Sequence, residues 1–327
     1  MEILTLAFMQ RALLAALMTG LIAPAIGTYI VQRRLSLLGD GLGHVAIAGV
    51  GLALATQTAP LPVAVAVCVI GAVGVELLRQ TGRASGDIGL AILFYGGLAT
   101  GVLLAGRAGQ GAGALSQYLF GSLMTVTADD LWLILILGAL VAVPAIGLAP
   151  QLFAVCADEE YAKTLGLPVR WYNLLIVVAA AVTVTLSMRT VGLLLVSALM
   201  VVPVATAGQL TRGFRSSIAV AMGVGVLAAT GGVFASFYLD AVPGSTIVVL
   251  AIALFALAWP AGLLLERRRR GVPVVEEVEE LPHTRADSHP HVHHPGCGHA
   301  LVRHGDHDDY IHDGHRHAAH EGHYDEH

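Results

Sequence analysis

The chain has 327 residues, 56% of them hydrophobic and 13% charged, with a mean hydropathy of +0.73. A soluble domain carries about 25% charged residues, so a soluble enzyme or nucleic-acid binder is excluded and an integral membrane protein implied. Charge divides the chain in two: residues 1–270 carry a balance of +4, and residues 271–327 carry −9 with 14 of the 15 histidines. The expected organisation is therefore a membrane domain, 1–270, followed by a polar His-rich tail, 271–327.

A helix needs roughly 20 apolar residues to cross a bilayer core. Nine segments qualify: 12–31, 36–56, 61–79, 88–106, 130–149, 172–188, 190–208, 216–238 and 245–265. The fold class is all-α, a polytopic membrane bundle of about nine helices. The first segment follows an acidic residue, Glu2, and lacks a small-residue cleavage site, so it reads as a retained span. Basic residues at 33–34, 79–83, 163–170, 212–215 and 267–270 fall at every second connection. The positive-inside rule then puts the N-terminus outside and the tail in the cytoplasm; Arg107 and Arg189 dissent.

The second segment, "LSLLGDGLGHVAIAGVGLALA", contains Asp40 and His44, two ionisable groups one helical turn apart. A carboxylate and an imidazole at i and i+4 share a helix face and suit a divalent cation such as zinc. The competing reading is a buried polar pair that locks two helices. Gly39, Gly41 and Gly43 weaken the helix start, which fits a broken or late-starting helix lining a cavity. Glu76 and Asp87 flank an inner loop and read as interfacial charges. Cys68, Cys156 and Cys297 lie far apart and suggest neither a disulfide framework nor a zinc knuckle.

The connection "CADEEYAKTLGLPVRWYN", residues 156–173, is the most polar stretch before the tail. Glu160, Ala162 and Gly166 have the E-x-A-x-x-x-G spacing of the segment by which importer permeases dock on an ATPase. A short helix there, ended by Gly166 and followed by Pro168, would form a compact knob. An ordinary amphipathic loop helix has the same spacing. Lys163 is the only lysine and no G-x-x-x-x-G-K-[ST] occurs, so the chain has no phosphate-binding loop of its own. Arg189 has the charge to neutralise a carboxylate in the bundle. Asp240, at the outer end of a span, is either a site for an incoming ion or a solvated cap.

The tail has no Phe or Trp and is expected to be disordered. Its histidines, His289, His291, His293, His294, His299, His304, His307, His312, His315 and His317, together with Cys297, read as a metal-binding tract. Imidazole suits zinc better than manganese, which prefers oxygen. The tail is expected to buffer or sense metal, or to be a dispensable metal-sticky extension.

Five ordered blocks, "LSLLGDGLGHVAIAGVGLA", "FGSLMTVTADDLW", "DEEYAKTLGL", "TVGLLLVSALMVVPVATA" and "YLDAVPGSTIVVLAIALFALA", resemble the metal-uptake ABC permeases over about residues 10–265. These are channel subunits for zinc, manganese and iron import, similar to the cobalamin and siderophore permeases. The resemblance implies two permease copies on two ATP-binding subunits, fed by an extracytoplasmic metal-binding protein, in the cell membrane. It implies that Asp40 and His44 are the metal-pathway pair of the family's G-D-x-x-x-H motif and that 156–168 is the coupling segment. Gly43 stands where the family usually has Ser, and the long tail is a further departure. The expected function is a subunit, not an enzyme, that passes a divalent metal ion, zinc first, with no permanently bound cofactor. A stand-alone proton-coupled exporter and a membrane metal sensor are the alternatives. Nucleic acid is not an expected partner; membrane lipid is.

Overall fold

A computed structural model describes residues 6–81, 86–109, 111–121, 126–270, 284–285, 292, 294, 297–304, 307–312, 315–320 and 323–326. The helices are α1 (Ala7–Gln32), α2 (Leu38–Thr56), α3 (Pro60–Gln80), α4 (Gly86–Arg107), α5 (Gly111–Phe120) and α6 (Ala128–Gly147), then α7 (Ala149–Ala157), α8 (Glu159–Thr164), α9 (Val169–Ser187), α10 (Leu193–Leu210), α11 (Phe214–Leu239) and α12 (Pro243–Arg270). Among the described residues, eight helices are long and apolar enough to cross a membrane: α1 to α4, α6, α9, α11 and α12. The remaining expected span falls on α10, whose 18 residues reach about 27 Å, slightly less than a typical hydrocarbon core. Helices α5 and α7 lie where no element was expected.

Local chemistry sets several boundaries. Pro60 opens α3, where its missing N–H costs nothing. Thr127 caps α6 in a reciprocal capping box with Asp130. The glycines at 39, 41 and 43 do not break α2, contrary to expectation; it runs unbroken from Leu38 to Thr56. Packing on two sides holds it in place, since Gly39 and Gly43 face Ser197 and Leu193 on α10 while Gly41 faces Leu90 and Leu93 on α4.

Burial separates inner helices from the periphery. The apolar windows of α1, α2 and α9 are 72, 78 and 67% buried, against 28% for α3, α4 and α12 and 22% for α6. Large side chains such as Ile70, Trp132 and Val143 are exposed on the outer helices, as a hydrocarbon surround permits. Helices α2 and α4 meet along a close seam. A β carbon on Gly97 would stand 2.6 Å from the His44 backbone, and one on Gly101 would collide with Ile47. This Gly-x-x-x-Gly stripe lets two backbones touch.

The described residues form two compact units, 1–268 and 269–327. The second contains a five-stranded antiparallel sheet, β1 (Thr284–Arg285), β2 (Ala300–His304), β3 (His307–His312), β4 (His315–His320) and β5 (His323–Glu326), in the order β1-β5-β4-β3-β2. The sequence reading expected disorder over 271–327; the described residues there include these strands. The missed signal is the pairs Gly305–Asp306, Asp313–Gly314 and Glu321–Gly322, glycine-containing two-residue connections of the kind that favour hairpins. Among the described residues, the buried side chains of the sheet are Asp309, His317 and Ala318.

Candidate functional site

Asp40 and His44 occupy one face of α2, their β carbons about 6 Å apart by helical geometry. The Asp40 carboxylate, half-buried, accepts a short hydrogen bond from the Ser197 hydroxyl of α10. His44 is 8% exposed, and its ring meets Phe94 of α4 edge-on with centroids 4.0 Å apart. Its Nδ1 is buried with no hydrogen-bond partner. A buried polar atom left so is destabilising by about 1–3 kcal/mol, and a cation at that nitrogen would remove the deficit. The pair lies between α4 and α10 on the most buried span.

A carboxylate oxygen and an uncommitted imidazole nitrogen form a mixed donor set for a divalent transition ion. Among the described residues no group of three or more His, Cys, Asp or Glu side chains is positioned for a metal. Two donors fall short of the four that a closed tetrahedral site uses. Asp240 does not join them. It is the exposed C-cap of α11 in the left-handed conformation, φ 48°, on the wall of a cavity of about 640 Å³ with Phe8, Gln117 and Phe237.

The 156–168 segment folds as the spacing predicted. Asp158 caps α8, its carboxylate accepting from the N–H groups of Glu160 and Tyr161 at 2.9 and 3.0 Å. The helix closes with two bonds, Gly166 N–H to Lys163 O and Leu167 N–H to Ala162 O, with Gly166 at φ +76°. That left-handed turn is where glycine is favoured. Ala162 is fully buried against Val155 and Val169. Glu160 is exposed and pairs only locally, with Lys163 at 2.6 Å.

The residue before it carries the tertiary links. Glu159 accepts from Arg33 at the end of α1 (2.7 Å), from Arg79 of α3 (3.5 Å) and from Asn173 of α9 (3.1 Å). Glu76, expected to be a simple interfacial charge, is instead buried and bound by Arg79 at 2.8 Å. The side chain of Asp87 lies outside the described residues. Arg189 meets Asp130 at 2.9 Å and stands over the Tyr118 ring at 5.4 Å. Ser197, Glu159 and Asp130 were not singled out, because a serine in an apolar run and acids at the start of a helix carry no signal until their partners are known.

In the tail, His289, His291 and His293 lie outside the described residues. His294 is exposed, Cys297 half-buried and His317 buried. The His299 backbone N–H holds the Cys297 thiol below its ordinary range, whereas burial pushes Cys156 up to about 12.

Comparison with known proteins completes the picture. The profile described as "ABC 3 transport family" matches residues 5–261. The manganese transport system membrane protein MntC of Halalkalibacterium halodurans is 32% identical over 274 residues, 83% of this chain and 94% of that protein. The chelated iron transport system membrane protein YfeD of Yersinia pestis is 29% identical over 77% of this chain and 84% of its own. The solved structure of PsaBC from Streptococcus pneumoniae in complex with Fab superposes with a TM-score of 0.71 at 27% identity, covering 82% of this chain and 98% of that one.

Proposed function

The chain belongs to the ABC 3 transport family, and from that premise we propose that Asp40 and His44 pass a divalent transition metal ion, zinc first, through an ATP-driven importer. The chain is a multi-pass membrane permease subunit for metal ions, not an enzyme, and membership implies an ATP-binding subunit and a substrate-binding protein as partners. Membership also displaces the stand-alone exporter and the non-transporting sensor. The observation that carries the site is the buried, unpartnered Nδ1 of His44 beside the Asp40 carboxylate.

The named relatives carry manganese or chelated iron. Zinc rests on this chain's own chemistry: a nitrogen donor in the membrane and an imidazole-rich tail. In the proposed cycle two permease copies enclose the path and the binding protein delivers one ion to the outer mouth. Closure of the ATP-binding subunits acts through α8 on the inner face, and Asp40 and His44 hold the ion in transit. Asp240 serves at the outer rim, where its cavity opens. The tail lies in the cytoplasm, consistent with Arg267–Arg270 at the end of α12.

Uptake into vesicles with the ATP-binding subunit and binding protein, measured with zinc, manganese and ferrous iron in competition, tests this. Zinc is expected to saturate first and to inhibit the others. Saturation by manganese at lower concentration would reassign the ion, and no transport of any of the three would remove the function.

A further inference from the structure

Among the described residues, the Arg33 guanidinium has one ion pair, to Glu159 of α8 at 2.7 Å, with its own side chain 5% exposed. Its Nη1 is buried with no hydrogen-bond partner. Glu159 is therefore the carboxylate that answers a cation held out of water. Separating the two would strand a buried charge, so a displacement of α8 carries Arg33 with it. Arg33 is the C-cap of α1, and residues 33–37 connect α1 to α2. That connection has little slack. Arg34 is left-handed, φ 59°, and the N–H groups of Leu35, Leu38 and Gly41 donate to the carbonyls of Ile30, Leu35 and Leu37 at 2.9, 2.8 and 3.2 Å. Asp40 is the third residue of α2, and its other anchor is Ser197 of α10. The remaining partners of Glu159 lead elsewhere. Arg79 stands at 3.5 Å and also grips Glu76 of its own helix at 2.8 and 2.9 Å, and Asn173 lies near the start of α9. Neither α3 nor α9 carries Asp40, His44 or Ser197.

We propose that the Arg33–Glu159 pair is the link by which α8 positions the start of α2, so that movement of the docking segment shifts Asp40 against Ser197. The inference rests on the reading of 156–168 as the coupling segment and adds the helix that receives the movement and the side chain that grips it. Arg33 and Glu159 are positioning residues, since neither is a proposed ligand of the ion. The link is tight at one end and stiff at the other: a charge-assisted hydrogen bond to α8, then a hydrogen-bonded turn into α2. It is independent of which metal ion is carried.

The experiment uses the full-length permease assembled with its ATP-binding subunit. Amide hydrogen exchange over residues 33–41 and over 158–166 is compared without nucleotide and with a non-hydrolysable ATP analogue. In the wild type both segments are expected to change protection when nucleotide binds. In Arg33→Gln and in Glu159→Gln the response at 158–166 is expected to persist and the response at 33–41 to disappear, whereas Arg33→Lys, which keeps the charge, retains both. Transport per ATP hydrolysed is expected to fall about tenfold in each Gln variant and no further in the double variant, because both cut the same bond. If Arg33→Gln does not assemble, Glu159→Gln, at the more exposed end of the pair, supplies the test. A wild-type response confined to 158–166, a response at 33–41 that survives in the Gln variants, or losses that multiply in the double variant would overturn the link. No response at 158–166 in the wild type would remove the coupling segment and the link together.

Discussion

At the residue scale, the proposed function rests on Asp40 and His44. A charged side chain at the bilayer centre is unfavourable by about 2.5–3.5 kcal/mol on insertion scales, so two ionisable residues within one apolar span mark a functional position from hydropathy alone. Asp40→Ala and His44→Ala are each expected to abolish uptake while the permease still assembles with its ATP-binding subunit, read by radioactive metal transport beside co-purification. Near-normal transport by both would remove the assignment. Ser197→Ala removes the donor to Asp40 but no proposed ligand. A single such bond is worth about 1 kcal/mol, so transport is expected to fall roughly fivefold rather than vanish. Ser197 was illegible because its partner is 157 positions away in the chain.

At the element scale, the proposed function assigns coupling to α8, while the α2–α4 seam packs against the backbone of His44. The knob was legible from Asp158, Ala162 and Gly166, since caps and a left-handed glycine are local features. Its anchoring was not. The sequence pointed to Glu160, whereas the structure binds Glu159 to α1, α3 and α9. Glu159→Gln is therefore expected to reduce transport per ATP hydrolysed, with Glu160→Gln close to wild type; equal effects would remove the distinction. Gly166→Ala strains a left-handed position by about 1–2 kcal/mol and is expected to weaken docking of the ATP-binding subunit, measured by co-purification. Gly97→Val forces bulk against the His44 backbone and is expected to lower thermal stability, as overpacking by about 1–3 kcal/mol does.

At the scale of the whole molecule, sidedness and the tail are the open relations, and cysteines read both. Cys68 and Cys156 are buried, and the Cys156 thiol, raised to about 12, stays protonated at neutral pH. Cys297 is more accessible and its thiol is held low, so more of it is the reactive thiolate. A membrane-impermeant maleimide is expected to label Cys297 alone, and only in inverted vesicles if the tail is cytoplasmic. Labelling in right-side-out cells would invert the topology. Deleting 281–327 is expected to leave the transport rate intact and to change its inhibition by accumulated metal. Unchanged inhibition and resting metal content would leave the tail without a regulatory role.

The sequence by itself determined the membrane class, the nine long apolar helices of the bundle, the Asp40–His44 couplet and the shape of the α8 knob. Each follows from hydropathy, i to i+4 spacing or capping, which act within a few residues. Tertiary structure alone decided that Ser197 holds Asp40, that Glu159 rather than Glu160 anchors the knob, and that Asp130 answers Arg189. Those relations join residues on different helices or strands. Which of many polar groups meet is set by packing and register, and neither is written in the local pattern of the chain.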